Sequence, residues 1–150
     1  MKTQIRHATS KDFPVLLRMD QACFAPDIAY DFDELRYLMK RRGAETLVVE
    51  DEAEIVAFLL MDADVRRKHA TLITLDVLSA HRRKGYASKL LSHSEEILRG
   101  YGIETYELQV DVENSAAIAF YYKHGFKEQK LLRNYYSGNR DAWQMNKKLA

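Results

Sequence analysis

The sequence lacks several features that define common classes of protein. Its 150 residues include a single cysteine, Cys23, so an internal disulfide cannot form and a cysteine-rich zinc site is excluded. We expect Cys23 to be a small buried apolar residue rather than a nucleophile. No apolar run approaches the roughly 18 residues that a membrane span needs, and the polar start MKTQIRHATSKD has no secretory apolar segment. We therefore expect a cytoplasmic protein without a membrane partner.

Neither the net charge of the chain nor the spacing of its histidines indicates a particular binding partner. The 23 Lys and Arg residues nearly balance 22 Asp and Glu, and the net charge of +1 gives no general preference for nucleic acid. Any anion specificity must therefore be local. No metal is expected, because metal-ligand spacing is missing among His7, His69, His81, His93 and His124. Length and composition favour one domain over residues 1–150.

The spacing of apolar residues predicts a regular alternation of strands and helices. Predicted strands cover residues 4–8, 46–50, 55–61, 70–77, 105–110, 126–134 and 142–148. Predicted helices begin at Ser10 or Asp12, cover 33–41 with Gly43 as the stop, run from Gly85 to Gly100 or Gly102, and cover 115–124. This order predicts an α/β fold, a mixed sheet of about seven strands with helices on both faces.

A basic cluster lies directly before the longest predicted helix. Arg82, Arg83 and Lys84 precede Gly85, where that helix begins. Free N–H groups at a helix N-terminus bind phosphate oxygens, and glycine lets an anion approach the main chain. The stretch therefore predicts a diphosphate site, although by itself it also fits a solvated basic turn. Its spacing matches neither a nucleoside-triphosphate loop nor the three-glycine dinucleotide motif.

These motifs together resemble the GNAT acetyltransferase family. Residues 82–87, RRKGYA, are similar to the family's Arg/Gln-x-x-Gly-x-Gly/Ala coenzyme A loop, and Asn114, Tyr121 and Gly125-Phe126 follow in the family's order. The resemblance implies the GNAT fold over the whole chain, with acetyl-CoA as co-substrate. Residues 133–145, RNYYSGNRDAWQM, further resemble the subgroup that acetylates protein N-termini, including a ribosomal protein's N-terminal alanine.

The resemblance also implies how acetyl-CoA is held. The pantetheine arm would pair with main chain where strands 70–77 and 105–110 splay apart, and an N–H on this edge would stabilise the oxyanion. The diphosphate would lie on the loop of residues 82–87. The implied coenzyme-binding residues are Leu75, Asp76, Val77, Arg82, Arg83, Lys84, Gly85, Tyr86, Ala87 and Asn114.

Tyr121 aligns with the tyrosine that the family uses as general acid toward the departing thiolate. It lies five residues before Phe126, as the family motif requires. Its neighbour Tyr122 points about 100° away around the helix. An ordinary phenol has a pKa near 10 and is protonated at neutral pH, so Tyr121 can donate a proton. The alternative is an aromatic side chain that only packs on the sheet.

The general base departs from the family pattern. Related N-terminal acetyltransferases carry Glu or His at the position of Gln109, and an amide cannot accept a proton at physiological pH. Glu107, about 7 Å away on the same side of the strand, and Asp76, whose pKa burial would raise, are both candidates. Gln109 could also hold an ordered water. An α-amine, with a pKa of about 7.7–8.0, suits such a site better than lysine.

The acceptor site is also implied by the resemblance. Tyr135 and Tyr136, expected in the turn between the last two strands, would clamp a peptide opposite a wall of residues 24–30 that includes Tyr30. The leading hypothesis is direct attack by a protein N-terminus, such as that of a ribosomal protein, in a ternary complex. Acetylation of a small amine (polyamine, amino acid or antibiotic) and a non-catalytic acyl-CoA sensor remain alternatives. We expect a monomer or a homodimer.

Overall fold

The structure, a computed structural model, describes residues 2–149. Within them the strands are β1 (Thr3–His7), β2 (Ala44–Asp51), β3 (Glu54–Asp64), β4 (His69–Val77), β5 (Thr105–Asp111), β6 (Lys127–Tyr136) and β7 (Arg140–Lys148). The α-helices are α1 (Phe13–Cys23), α2 (Phe32–Met39), α3 (Tyr86–Gly100) and α4 (Ser115–Lys123). The strands form one mixed sheet in the order β1-β2-β3-β4-β5-β7-β6. The predicted fold class is confirmed.

Helices cover both faces of this sheet. Helices α1 and α2 pack on one face, where Leu16, Leu35 and Phe58 are fully buried. Helices α3 and α4 pack on the other, against a larger apolar cluster that contains Leu90 and Tyr106. Strand β3 lies between the two layers and is buried continuously over residues 56–61, because a central strand has no solvent face. None of the helices within residues 2–149 is long and apolar enough to cross a membrane.

Strands β4 and β5 separate halfway along their length. They are the parallel pair of the sheet, and their pairing ends at Leu72 opposite Leu108, although β4 continues to Val77 and β5 to Asp111. A bulge in β4 lies at the same point, with Ile73 as the extra residue opposite β3. Bulges bend a strand and increase its twist. The sheet therefore opens here into a cleft with unpaired main chain on the β5 side of β4.

The observed boundaries correct two predictions. Gly43 does not end α2, which stops at Met39; a Cβ at Gly43 would lie 2.1 Å from the carbonyl oxygen of Ala63, so glycine allows a close approach between two chains. Tyr135 and Tyr136 do not lie in the last turn but end β6, because β6 and β7 extend further than their apolar residues indicate. The β6–β7 turn consists of residues 137–139.

Candidate active site

A cavity of about 440 Å³ occupies the cleft between β4 and β5. The α1–α2 loop (residues 24–31), α4 and the end of β6 complete its walls. Of the residues that the sequence singles out, the cavity brings together Tyr30, Leu75, Asp76, Val77, Arg82, Ala87, Gln109, Asn114, Tyr121 and Tyr136. The lining does not include six other described residues that the sequence singles out: Arg83, Lys84, Gly85, Tyr86, Glu107 and Tyr135.

The end of β4 is held by two side chains of the cavity wall. The carbonyl oxygen of Val77 accepts a hydrogen bond from Arg82 Nε at 3.1 Å and one from Cys23 Sγ at 3.5 Å. Burial, and next the charge of Asp76, raise the pKa of the Cys23 thiol to about 11. The thiol is therefore protonated at neutral pH and is a weak nucleophile.

Helix α3 begins next to this cavity with its first turn accessible. Gly85 is the N-cap residue, with φ of +82°, and an added Cβ there would meet no heavy atom within 4 Å. The Tyr86 side chain turns away into the core, where its hydroxyl donates to Asp51 Oδ2 at 2.8 Å. Tyr86 therefore anchors the loop on the β2–β3 hairpin and offers main chain, not side chain, at the helix start.

Two aspartates lie together beneath the cavity. Asp20 of α1 and Asp76 of β4 are each 1% exposed, and Thr74 Oγ1 lies 3.3 Å from Asp20 Oδ1 and 2.5 Å from Asp76 Oδ1. Asp20 Oδ2 accepts the N–H of Tyr30 at 2.9 Å, whereas Asp76 Oδ2 has no partner within residues 2–149. Burial, and next the neighbouring Asp20, raise the pKa of Asp76 well above its ordinary value. Because two adjacent carboxyls resist double ionisation, Asp76 keeps its proton to a higher pH than an isolated aspartate does.

Gln109 connects the cavity to Glu107 and His69, which lie nearer the surface. Its Nε2 donates to Glu107 Oε2 at 2.6 Å, because alternate residues of a strand share one face. Glu107 is partly exposed, and its Oε1 lies 3.3 Å from Nε2 of His69. His69 is a residue that sequence reasoning missed, since its contact depends on the parallel register of β4 and β5. The arrangement forms a polar path from the cavity to solvent.

The two adjacent tyrosines of α4 have different environments. Tyr121 is 8% exposed, and its ring contacts Phe120 and Phe126 edge-on at centroid distances of 5.4 and 5.6 Å. Burial, and next the charge of Asp76, raise the pKa of Tyr121, so its phenol is protonated at neutral pH. Tyr122 is 45% exposed, and its hydroxyl donates to Glu128 on the surface. Tyr121 thus lines the cavity, whereas the hydroxyl of Tyr122 lies at the surface.

Aromatic residues form the outer wall of the cavity. Tyr30 and Tyr136 are half-buried and line it together with Phe24 and Ile28. Tyr135 packs edge-on against Tyr136 at 4.9 Å but is half exposed. Burial, and next Tyr135, raise the pKa of Tyr136, so this wall is uncharged at neutral pH. Within residues 2–149, no group of three or more His, Cys, Asp or Glu side chains could hold a metal ion.

Comparison with known proteins identifies the family. Residues 4–126 match the model of the Acetyltransferase (GNAT) family, so the chain belongs to the GNAT acetyltransferases. The chain is 29% identical over 155 residues to an N-alpha-acetyltransferase of Sulfolobus acidocaldarius, covering 95% of this chain and 90% of that protein. The protein is therefore an acetyl-CoA-dependent N-acetyltransferase, and the predicted family, reaction class and co-substrate are confirmed.

An Escherichia coli enzyme resembles the chain in both sequence and structure. The [ribosomal protein bS18]-alanine N-acetyltransferase is 40% identical over 76 residues, which are 49% of this chain and 51% of that one. The crystal structure of the ribosomal-protein-S18-alanine N-acetyltransferase from Escherichia coli superposes with a TM-score of 0.89 at 25% identity. That superposition covers 99% of this chain and 95% of the crystallised chain.

We predict that Asp76→Asn changes how stability depends on pH. Folding raises the pKa of Asp76 above its unfolded value of about 3.9, so the folded chain binds more protons and this carboxyl lowers stability as pH rises. An amide does not titrate. In urea unfolding, the variant should match the wild type near pH 4 and become more stable than it toward alkaline pH. The control variant Glu96→Gln changes an exposed carboxyl and should keep the wild-type dependence of stability on pH. If the stability of Asp76→Asn changed with pH in parallel with that of the wild type, the proposed effect of the buried pair would be contradicted.

Proposed function

We propose that the protein acetylates the N-terminal α-amine of a protein or peptide by direct attack on acetyl-CoA in a ternary complex. The observation that carries this proposal is one continuous cavity that is lined by Val77, Arg82 and Asn114 on one side and by Tyr30 and Tyr136 on the other. A coenzyme and an acceptor can therefore meet without a covalent intermediate. Relatives named N-alpha-acetyltransferase and ribosomal protein bS18-alanine N-acetyltransferase support a protein N-terminus as acceptor.

The coenzyme occupies the inner side of the cleft in this proposal. The edge of β4 over Leu75, Asp76 and Val77 has no strand partner on the β5 side, and its free main-chain groups can pair with the amides of pantetheine. The carbonyl of Val77 is the exception, because it already accepts hydrogen bonds from the side chains of the cavity wall. The first turn of α3, reinforced by the nearby cations Arg82, Arg83 and Lys84, holds the diphosphate. Ala87, in the first turn, keeps the approach free of a large side chain.

Asn114 supports the pantetheine side of the same cleft. Its Oδ1 accepts the N–H of Ala117 at 3.1 Å and so caps α4. The cap fixes the side chain and leaves the amide's N–H donors for the coenzyme, because Asn114 also lines the cavity.

Gly85→Ala tests the diphosphate site. Alanine at φ of +82° costs about 1–2 kcal/mol of folding free energy. Its Cβ also enters the space through which an anion approaches the helix. We expect the Kd for coenzyme A, measured by calorimetry, to rise about tenfold, which corresponds to roughly 1.4 kcal/mol.

Gly102→Ala is the matched control. Gly102 has φ of +80°, an added Cβ would again meet nothing within 4 Å, and it lies at the opposite end of α3. The backbone strain is therefore the same, whereas the Kd should not change. Equal Kd values for the two variants would mean that the diphosphate binds elsewhere.

Tyr121 acts as the general acid in this mechanism. As the amine attacks the thioester and the tetrahedral intermediate collapses, the C–S bond breaks and the phenol proton passes to the departing thiolate. We predict that Tyr121→Phe lowers kcat about 100-fold, the lower end of what one positioned proton donor contributes, in an assay of released thiol. Tyr122→Phe loses a surface hydrogen bond to Glu128 and should keep the wild-type rate. Equal rates for both variants would remove Tyr121 from the mechanism.

Glu107 is the proposed base, acting through Gln109. The attacking amine must lose a proton, and the amide of Gln109 cannot take it but can hold a water molecule in the cavity. Glu107, hydrogen-bonded to Gln109 and close to His69, accepts that proton from the water and passes it to solvent. Asp76 is the weaker candidate, because its carboxyl is buried, Thr74 already bonds to it, and no contact joins it to Gln109 as one joins Glu107.

A panel of acceptors tests the function and the base together. Thiol release should be fast with peptides that have a free N-terminus, and at least ~10-fold slower with N-blocked lysine peptides, polyamines or free amino acids. Glu107→Gln should lower kcat/KM for the good peptides about 100-fold at neutral pH and recover toward the amine's own pKa near 8. A wild-type enzyme that turns over small amines alone would overturn the acceptor class, and an unchanged Glu107→Gln would overturn the base.

A further inference from the structure

Arg140 joins two segments that lie on opposite sides of the acceptor wall. It begins β7, directly after the β6–β7 turn, and its Nε donates to Asp27 Oδ2 in the α1–α2 loop at 2.6 Å. Its Nη1 donates to Asp111 Oδ2, at the end of β5, at 2.9 Å. The guanidinium therefore bridges carboxylates from two different parts of the chain, which a planar fork of donors does better than an ammonium.

The β6–β7 turn also rests directly on the α1–α2 loop. Ser137 Oγ donates to the carbonyl oxygen of Asp27 at 3.1 Å. Gly138 has φ of +75°, and an added Cβ would lie 2.9 Å from Asp27 Oδ2. Three residues in or next to the turn, Ser137, Gly138 and Arg140, thus lie against Asp27. A Cβ at position 138 would force the Asp27 carboxylate, which Arg140 holds, to shift.

The same bridge reaches the coenzyme side of the cleft. Asp111 is buried, and its Oδ1 accepts the N–H of Glu113 at 3.0 Å in the turn that leads to Asn114. Arg140 lies close to Glu113 as well, with 3.7 Å between its nitrogen and the carboxylate. Arg140 therefore ties together the loop that carries Tyr30, the strand end that carries Tyr136 and the turn before α4.

We propose that Arg140 is a positioning residue that fixes the separation between the α1–α2 loop and the end of β6, and so shapes the channel through which the acceptor reaches Tyr121. This inference rests on the proposed function. Arg140 does not line the cavity, so it acts through Asp27, Tyr30 and Tyr136 and does not touch the reacting atoms. Loss of the bridge should weaken acceptor binding more than coenzyme binding, because Asp111 keeps its hydrogen bond to the N–H of Glu113 before α4.

Steady-state kinetics with a peptide acceptor tests the bridge. We expect Arg140→Gln to raise the KM for the peptide about tenfold, to keep kcat within about twofold, and to raise the KM for acetyl-CoA far less than that for the peptide. Arg140→Lys should give an intermediate KM, because an ammonium cannot span both carboxylates in the same way. Asp27→Asn should raise the KM similarly, and the double variant Asp27→Asn with Arg140→Gln should be no worse than either single change. Unchanged peptide KM values would overturn the proposal.

Arg41→Gln is the matched control for loss of one ion pair. Arg41 Nε contacts Asp62 Oδ2 at 2.6 Å, the same geometry as Arg140 with Asp27, and neither of its partners lines the cavity. This variant should lose one surface ion pair away from the cavity and keep the wild-type KM for the peptide, and it is best compared with Asp27→Asn, which also removes one ion pair. An equal rise in KM for Arg41→Gln would show a general loss of structure.

Hydrogen exchange provides a readout that needs no acceptor. Amides of residues 24–31 should exchange several-fold faster in Arg140→Gln than in the wild type, and at the wild-type rate in Arg41→Gln. If the wild type turned over no peptide, the proposed function would fail, and exchange in this loop would still decide whether the bridge exists. Unchanged exchange would then overturn it.

Discussion

The end of parallel pairing between β4 and β5 is the constraint on which the candidate site depends. Beyond Leu72 and Leu108, each strand continues without the other, and a bulge at Ile73 turns β4 further away. Main-chain groups at this edge need partners, because a buried unpaired N–H or C=O is costly. An extended ligand with amides along its length can supply them. The fold thus provides a binding edge, because main-chain groups of β4 beyond Leu72 have no partner in β5.

Charge is distributed along this cleft in a way that the net charge of +1 conceals. In the proposed complex, the cations at positions 82–84 and the start of α3 hold the diphosphate, whereas the carboxylate of Glu107 serves the acceptor amine through Gln109. The Asp20 and Asp76 pair lies closer to the coenzyme edge, where the charge of Arg82 acts on Asp76. Burial modifies this pattern, because it raises the pKa of Asp76 and so reduces the negative charge that this carboxyl contributes. In the proposed complex, the acetyl group lies between the two regions.

Local periodicity predicted the element order, but tertiary register determined which side chains meet. The glycine at position 85 and the apolar spacing after it were sufficient to predict α3, because helix signals are short-range. The pairing of Asp20 with Asp76 and the bridge from Asp27 to Arg140 had no such signal, since 56 and 113 positions separate these partners along the chain. Gly43 failed as a predicted helix stop for the same reason: its small size serves a contact with Ala63 on β3.

The glutamine at position 109 is consistent with an acceptor of low basicity. At pH 7, an α-amine with a pKa near 8 is neutral in about a tenth of molecules, whereas a lysine amine with a pKa near 10.4 is neutral in about one of 2,500. A lysine acceptor would need a strong base at the point of attack. An α-amine needs less help. In the proposed mechanism, the carboxylate of Glu107 lies two residues before Gln109 on the same strand, and a connection through Gln109 and water would be enough to remove the proton. The residue that departs from the family pattern thus supports the acceptor that the aromatic wall of Tyr30 and Tyr136 also favours.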